Sequence, residues 1–295
     1  MFGPNTSKKV IRTISSSHRS ARNKYLYESI VANLKTNFGL QNYNILLLGG
    51  SGSVGLESVI SSSINPVKVS GGDGKFKNRL CGMSETYNPL KNDTGTNSTM
   101  SCHLETSTGC ININETDYSD DISSFPFFDL KKNLKVGVTC SNKLLGSIAG
   151  FSVIYYKSIE YFEKRKGFTY LDLHKHHIAK KQNTFLTTIS ECALEDFYST
   201  LKSTSVENIK DKIKTVSRMF EEIVGFDMCI NTLPSPVIVM EKSKIPQKLI
   251  NQYDLYAGKG GYNDRVYIFT YSESLGDYAS IFNVLKKNLN EKVIY

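Results

Sequence analysis

Two hydrophobic patterns alternate along this chain. In the first, apolar residues recur every three or four positions, as at Leu26, Ile30 and Leu34, and this spacing is typical of a helix packed on one face. The helices predicted in this way run over 21–37, 191–200, 206–224 and 277–289, and the charged segment 155–166 is also expected to be helical.

The second pattern is a short, continuous apolar run, which is typical of a buried strand. Such runs cover 45–48, 67–69, 134–138, 151–156, 237–240 and 266–271, whereas the Asn/Thr/Ser-rich stretch 88–100 is predicted to be a loop. Alternating strands and helices favour an α/β fold for the larger part of the chain, with a smaller α+β part at the C-terminus.

Charge and composition narrow the function. The 295 residues carry a net charge of +8, but the basic residues are spread along the chain rather than clustered, which argues against a nucleic-acid partner. No apolar run is long enough to span a bilayer and no signal peptide is recognisable, so we expect a cytoplasmic protein that does not bind membranes. The six cysteines and the histidines lack ligand spacing, and no metal site is predicted.

A glycine-rich turn follows the apolar run 45–48. Residues 49–53 read Gly-Gly-Ser-Gly-Ser and lead into a helical pattern at Leu56, Val59 and Ile60. A turn between a strand and a helix aims backbone N–H groups and the positive end of the helix at one point, which suits a phosphate. A plain connecting turn is the alternative at this stage.

Two single residues add candidate chemistry. Lys143 stands among small residues between the runs 134–138 and 151–156, and a partly desolvated lysine amine forms Schiff bases with aldehydes. Phe76 lies in a glycine-flanked turn after the run 67–69, where an aromatic ring can stack on a flat ligand. Taken singly, each has an ordinary alternative: a solvated lysine and a peripheral core phenylalanine.

Taken in order, these stretches resemble the class V aminotransferases, enzymes of fold type I that use pyridoxal 5'-phosphate (PLP). Within this family the chain is most similar to the 2-aminoethylphosphonate:pyruvate transaminases of phosphonate metabolism. The matching segments are 50–53 with 57–59, 74–76 with Arg79, 103–109, Asp120 with 123–125, 141–143 with 150–151, 234–238 and 255–259. The resemblance implies a large PLP-binding α/β domain over 20–215, a smaller α+β domain over 216–295 joined by 1–19, and a homodimer.

The resemblance also implies a role for each candidate residue. Lys143 would form the Schiff base with PLP and shuttle a proton between substrate and cofactor. Asp120 would keep the pyridine nitrogen protonated, which makes the ring an electron sink. The other cofactor contacts implied are Ser51, Gly52 and Ser53 at the phosphate, Phe76 on the ring, Thr106 near the ring oxygen and Thr187 or Thr188 from the other subunit. The implied reaction moves an amino group from a small amine or amino acid to a 2-oxo acid such as pyruvate.

The large domain departs from the family pattern because it is shortened in two places, over 77–102 and over 110–119. In the second place, no apolar strand precedes Asp120. Asp121 and Asp117 are therefore alternatives for the contact with the ring nitrogen.

A second departure concerns the substrate. The arginine that binds the substrate in the family is missing from its usual place ahead of 276–277, which leaves Arg265 and Arg19 as candidates to hold an anionic substrate. Two other functions stay open: another class V activity, either alanine:glyoxylate-type transamination or a lyase reaction, and a non-catalytic member of the family.

Overall fold

A six-stranded β-sheet organises the larger, N-terminal part of the chain. The computed structural model describes residues 17, 19–91, 95–167 and 170–291. The sheet consists of β1 (Asn44–Gly49), β2 (Val67–Ser70), β3 (Ser98–Cys102), β6 (Tyr118–Asp120), β7 (Val136–Cys140) and β8 (Phe151–Tyr156), and a hairpin of β4 (Leu104–Glu105) and β5 (Cys110–Ile111) intervenes between β3 and β6.

The order across the sheet is β1-β8-β7-β6-β3-β2. Strands β2, β3, β6 and β7 are parallel, and β8 is antiparallel to both of its neighbours, β1 and β7. The carboxyl ends of the parallel strands therefore meet at one edge of the sheet, which is where α/β folds generally bind ligands.

Helices cover both faces of this sheet. The described helices are α1 (Ala21–Asn37), α2 (Gly52–Ser62), α3 (Lys75–Tyr87), α4 (Leu173–Lys181), α5 (Glu191–Ser203), α6 (Val206–Ile223), α7 (Gln247–Gln252) and α8 (Leu275–Glu291). On β1, Ile45 and Leu47 belong to the core formed with α1 and α5, whereas Leu46 and Leu48 point into the core formed with α2. Both sets are buried, as expected for successive side chains of a strand covered on both sides.

A second, three-stranded antiparallel sheet follows. It has the order β10-β11-β9, with β9 spanning Val237–Glu241, β10 Tyr256–Ala257 and β11 Arg265–Phe269. One face packs on α6 and α8 through residues such as Ile238, Ile268 and Phe282. The opposite face, with Tyr267 and Phe269, joins the core of the larger part of the chain. This arrangement carries side chains of β11 toward the end of the six-stranded sheet.

The predicted helices over 21–37, 191–200, 206–224 and 277–289 are confirmed, as are all six predicted strands, with ends shifted by a few residues. The helix predicted over 155–166 is wrong. Its first two residues complete β8, where Tyr155 and Tyr156 are both fully buried, and beyond them only the 3₁₀ turn Ile159–Tyr161 is helical in the described part of the segment.

The loop predicted over 88–100 is wrong in part, because residues from Ser98 onward form β3 in the middle of the parallel strands. The segment after Gly74 is also not a simple turn, since α3 begins at Lys75 and contains Phe76. None of the described helices is both long and apolar enough to cross a membrane. The domain boundaries given above stay a prediction.

Candidate active site

A cavity of about 220 Å³ lies at the carboxyl edge of the parallel strands. It is lined by residues from the ends of three strands and from the helices that follow: Ser51, Gly52, Ser53, Leu56, Phe76, Arg79, Cys102, Leu104, Asp120, Ile122, Ser123, Cys140, Asn142 and Lys143. Segments that are far apart in the sequence meet here because β3, β6 and β7 are neighbours in the sheet and end at the same level. We call this the sheet-edge cavity.

Lys143 projects from the turn that follows β7. Its Nζ donates a hydrogen bond to Ser123 Oγ at 2.8 Å and lies 5.6 Å from the centroid of the Phe76 ring. The turn is held closed by Ser141, whose Oγ donates to Ile148 O at 2.7 Å, and by Ser147, whose Oγ donates to the buried Asp196 at 2.7 Å. The lysine is half-buried on a well-anchored turn, so its amine has a defined position.

Asp120 is the last residue of β6, and its side chain lines the same cavity. Its Oδ1 accepts a hydrogen bond from Ile122 N at 3.1 Å, and among the described residues it forms no ion pair. Burial raises the pKa of Asp120 to about 6. Because it is buried, the ionised Asp120 carboxylate would interact strongly with a cationic group on a ligand.

The two alternative aspartates have other partners. Asp121 is buried among donors: His103 Nδ1 at 2.9 Å, Ser119 Oγ at 2.7 Å and the Tyr155 hydroxyl. Burial is the largest single influence and opposes ionisation of this carboxyl, but the hydrogen bonds from His103, Tyr155 and Ser119 and the charge interaction with His103 together outweigh it and hold the pKa of Asp121 below its usual value. Asp117 pairs with Lys135 Nζ at 2.8 Å. Of the three aspartates, only Asp120 lines the sheet-edge cavity.

The first residues of α2, which line the same cavity, meet a cation. Helix α2 begins at Gly52 and has no acidic residue in its first turn, so the positive end of the helix lies at this cavity. Arg79 Nη1 donates to Ser53 Oγ at 2.8 Å, and its guanidinium carbon lies 5.1 Å from the Phe76 centroid. A Cβ at Gly52 would come within 2.4 Å of the Ile122 side chain, so a larger residue there would require Ile122 to shift. Serine hydroxyls, N–H groups and a guanidinium together form an anion site.

Phe76 is fixed by the start of α3. The Glu105 carboxylate, which is buried, accepts hydrogen bonds from the backbone N–H groups of Phe76 and Lys77, both at 2.9 Å. A Cβ on Gly74 would lie 2.1 Å from this carboxylate, so glycine is required for the close approach. Glu105 therefore holds the first turn of α3 and with it the ring that lies beside Lys143.

A second, smaller cavity of about 70 Å³ lies on the other side of Lys143 and Phe76. We call it the aromatic pocket, because five of its eleven lining residues have aromatic rings. Its lining residues are Lys75, Phe76, Thr106, Ser107, Lys143, Tyr256, Gly258, Lys259, Tyr262, Tyr267 and Phe269. Thr106 thus lies in this pocket and does not line the sheet-edge cavity.

Four predicted residues lie outside both cavities. The Arg265 guanidinium packs on the Tyr262 ring at 5.5 Å, and its Nη1 donates to Ser107 O at 2.9 Å, behind the wall of the aromatic pocket. Arg19 is exposed near the start of α1. Thr187 lines a separate small cavity beside α1, and Thr188 is exposed, with its carbonyl oxygen close to Gly49 at the end of β1.

Arg79 and Glu105 were not among the predicted site residues. Both belong to segments that match the family resemblance, but neither stands in a spacing that by itself indicates a ligand. The helical position of Arg79, three residues after Phe76, would have placed the two side chains on one face if α3 had been predicted.

Comparison with known proteins addresses the fold. No protein-family model matches the sequence, and no curated protein matches it significantly. Among solved structures, the subgroup IV aspartate aminotransferase of Thermus thermophilus is similar, with a TM-score of 0.78 at 15% identity over 94% of both chains. An alanine–glyoxylate aminotransferase from Nostoc gives a TM-score of 0.78 at 17% identity, over 94% of this chain and 90% of that one.

A third structure adds a bound cofactor. PLP-bound phosphoserine aminotransferase from Trichomonas vaginalis aligns with a TM-score of 0.73 at 13% identity, covering 92% of this chain and 90% of the other. Similarity at this level of identity concerns the arrangement of helices and strands, and it agrees with the mostly parallel sheet described above. The chain therefore has the fold of the PLP-dependent aminotransferases of fold type I.

Proposed function

We propose that the protein is an aminotransferase that uses PLP and transfers an amino group from a small donor to a 2-oxo acid. The observation that carries this proposal is the composition of the sheet-edge cavity. It combines an amine at Lys143, a buried carboxylate at Asp120, an aromatic face at Phe76 and an anion site at 51–53 with Arg79. PLP presents an aldehyde, a ring nitrogen, a flat ring and a phosphate, and each has a counterpart here.

The residues that would hold PLP are assigned by this chemistry. Ser51, Gly52 and Ser53, with Arg79, would hold the phosphate, because hydroxyls, helix N–H groups and a guanidinium all favour a dianion. Phe76 would cover one face of the ring. The Asp120 carboxylate would accept a hydrogen bond from the protonated ring nitrogen, which would give the buried negative charge a cationic partner.

PLP, when bound, supplies an electron sink for negative charge on the substrate α-carbon. The protein must then move a proton at that carbon, and Lys143 Nζ is placed to do so because Lys143 lines both the sheet-edge cavity and the aromatic pocket. Ser123 Oγ accepts a hydrogen bond from this nitrogen and so fixes the position of the amine. Thr106, in the aromatic pocket, is positioned to contact substrate or the ring oxygen.

The proposal includes a homodimer in which Thr187 or Thr188 reaches the phosphate site of the other subunit. This extension is supported by the position of both threonines outside the sheet-edge cavity of their own chain and by the resemblance of the sequence. A narrower proposal names 2-aminoethylphosphonate as the donor and pyruvate as the acceptor, and it rests on the sequence resemblance alone.

The test is turnover by PLP-loaded protein. Purified protein is incubated with 2-aminoethylphosphonate, alanine or phosphoserine and with pyruvate, glyoxylate or 2-oxoglutarate, and the new amino acid is quantified. We expect at least one pair to react and Lys143→Ala to abolish the reaction.

Lys180→Ala is the matched control, because Lys180 is also half-buried and its Nζ also lies 5.6 Å from a ring centroid, that of Tyr27, but neither residue lines the sheet-edge cavity. Turnover that survives in Lys143→Ala would contradict the assignment of the lysine. A wild type that reacts with no pair in a broad panel would contradict the proposed activity.

A further inference from the structure

The charged side chains that line the aromatic pocket are all positive. Three lysines line it, Lys75, Lys143 and Lys259, and no aspartate or glutamate does. Lys143 is assigned above to proton transfer. The other two cations therefore have no role in the proposed function so far.

Neither Lys75 nor Lys259 has a counter-ion in the part of the chain that the structure describes. Among residues 17, 19–91, 95–167 and 170–291, no acidic side chain forms an ion pair with either ammonium group. Both residues are exposed at the pocket, so their ammonium groups are accessible to an anion that enters from solvent. Two uncompensated lysines at one small pocket favour an anionic ligand.

The two lysines approach the pocket from different parts of the fold. Lys75 is the first residue of α3, whose start is fixed by Glu105 and by a hydrogen bond from Lys75 N to Ser107 Oγ at 2.9 Å. Lys259 follows β10 in a tight loop, where Gly258 N donates to Arg265 O at 3.0 Å. A Cβ on Gly258 would lie 1.8 Å from Tyr262 O, so the loop depends on glycine and holds Lys259 at the pocket.

Arginine is not available in this pocket. The Arg265 guanidinium donates to Ser107 O and packs on Tyr262, and it does not line the pocket wall. The Tyr267 hydroxyl donates to the same carbonyl at 3.0 Å, and burial raises the pKa of Tyr267 to about 12, so this side chain is neutral near pH 7. A bidentate guanidinium fork for a carboxylate is therefore absent from the described residues of the pocket.

We propose that the aromatic pocket binds the carboxylate of a small amino acid or 2-oxo acid through the ammonium groups of Lys75 and Lys259 instead of an arginine. This inference rests on the proposed function, because it sets the reacting carbon beside Lys143. The small volume and the aromatic wall favour a short, uncharged side chain on the substrate. A basic amino donor is disfavoured, since no carboxylate lines the pocket to receive its second positive charge.

The inference is tested by calorimetric binding of pyruvate and of its neutral ester, methyl pyruvate, to PLP-loaded protein. The variants are Lys75→Met, Lys259→Met and the double variant, because methionine keeps the length of the stem and removes the charge. Lys68→Met and Lys248→Met are the controls: both lysines are exposed and lie outside the pocket. Visible absorbance of each protein with PLP is recorded in parallel.

We expect each pocket variant to weaken pyruvate binding about tenfold, as the loss of one charge-assisted hydrogen bond does, and the double variant to weaken it further. Methyl pyruvate binding and the controls should not change. The inference is overturned if the double variant binds pyruvate as tightly as the wild type does, or if the wild type binds methyl pyruvate as tightly as pyruvate. In either case, a protein that still acquires visible absorbance with PLP leaves the proposed function intact. A wild type that acquires no visible absorbance with PLP overturns the proposed function, and the inference with it.

Discussion

Replacing Asp120 by asparagine should stabilise the cofactor-free protein. The carboxyl is buried, accepts one backbone hydrogen bond from Ile122 and has no ion-pair partner among the described residues. An asparagine side chain can accept the same bond from Ile122 N without a charge. The substitution therefore removes an uncompensated buried charge and keeps its local hydrogen bond.

The magnitude follows from the pKa of Asp120, which burial raises from 3.8 to about 6. A shift of this size corresponds to about 3 kcal/mol. The native protein binds more protons than the unfolded chain between these two values, so this group lowers the free energy of unfolding as the pH rises from about 4 to about 6. We expect Asp120→Asn to be more stable than wild type by about 3 kcal/mol near pH 8 and nearly equal to it near pH 3, where the carboxyl is mostly protonated in both the native and the unfolded state.

The assay is urea denaturation of the cofactor-free proteins at both pH values. Asp117→Asn is the control, and its expected effect on the free energy of unfolding has the opposite sign. Although partial burial acts against ionisation, the hydrogen bonds from Lys135 and Thr99 lower the pKa of Asp117. Asp117→Asn should therefore destabilise the protein above the unfolded pKa, and this loss should shrink as the pH falls through the lowered pKa of the native state. If Asp120→Asn is no more stable than wild type near pH 8, the carboxylate is not an uncompensated charge and the reasoning fails.

Three further predictions concern the same cavity. With PLP bound, Asp120→Asn should keep the cofactor and lose about 100-fold in turnover, about 2.7 kcal/mol of barrier, because the ring nitrogen loses its anionic partner; an unchanged rate would remove Asp120 from the mechanism. Arg79→Met should weaken PLP binding about tenfold and leave the binding of pyridoxal, which lacks the phosphate, unchanged in a parallel titration; equal losses for both ligands would place Arg79 away from the phosphate. Glu105→Gln should lower the free energy of unfolding by about 1 to 3 kcal/mol and also weaken PLP binding, because the charge-assisted hydrogen bonds to the start of α3 are lost. A loss of stability without any change in the PLP titration would show that Phe76 keeps its position without these hydrogen bonds.

The sequence predicted the parts of the fold whose hydrophobic pattern is regular. Helix α1 and strands β1 and β8 bury apolar residues continuously, so periodicity alone locates them. Helix α3 escaped prediction because only Leu80 and Ser84 are buried along it, and most of its surface is polar. Its weak apolar face gave no helical signal.

Two central strands were missed for a different reason. In β3 and β6 buried polar residues such as Ser101 and Ser119 stand where apolar ones are usual, and their partners lie outside the strands. Ser101 Oγ lies 3.1 Å from Thr116 Oγ1 and accepts a hydrogen bond from the buried Lys131 Nζ at 2.6 Å. Such a network depends on residues far apart in sequence, so no local pattern indicates it. The same is true of the short strand that carries Asp120.

The site was predicted as a set of residues from the family resemblance, and the sheet explains why most of them meet. Lys143, Asp120, Phe76 and 51–53 all follow or end strands at one edge. The position of the Arg265 side chain could not be predicted from the sequence, because its hydrogen-bond partner, the carbonyl of Ser107, lies on a distant segment that only the fold brings close. Thr187 and Thr188 depend on a second subunit and stay a prediction.

The central claim, that Lys143 carries PLP, is tested most directly by locating the covalent attachment. Protein incubated with PLP is reduced with borohydride, digested and examined by mass spectrometry. The account predicts a single major peptide carrying the phosphopyridoxyl group on Lys143, present in Lys180→Ala and lost in Lys143→Ala. Labelling spread over exposed lysines, or retained in Lys143→Ala, would contradict it.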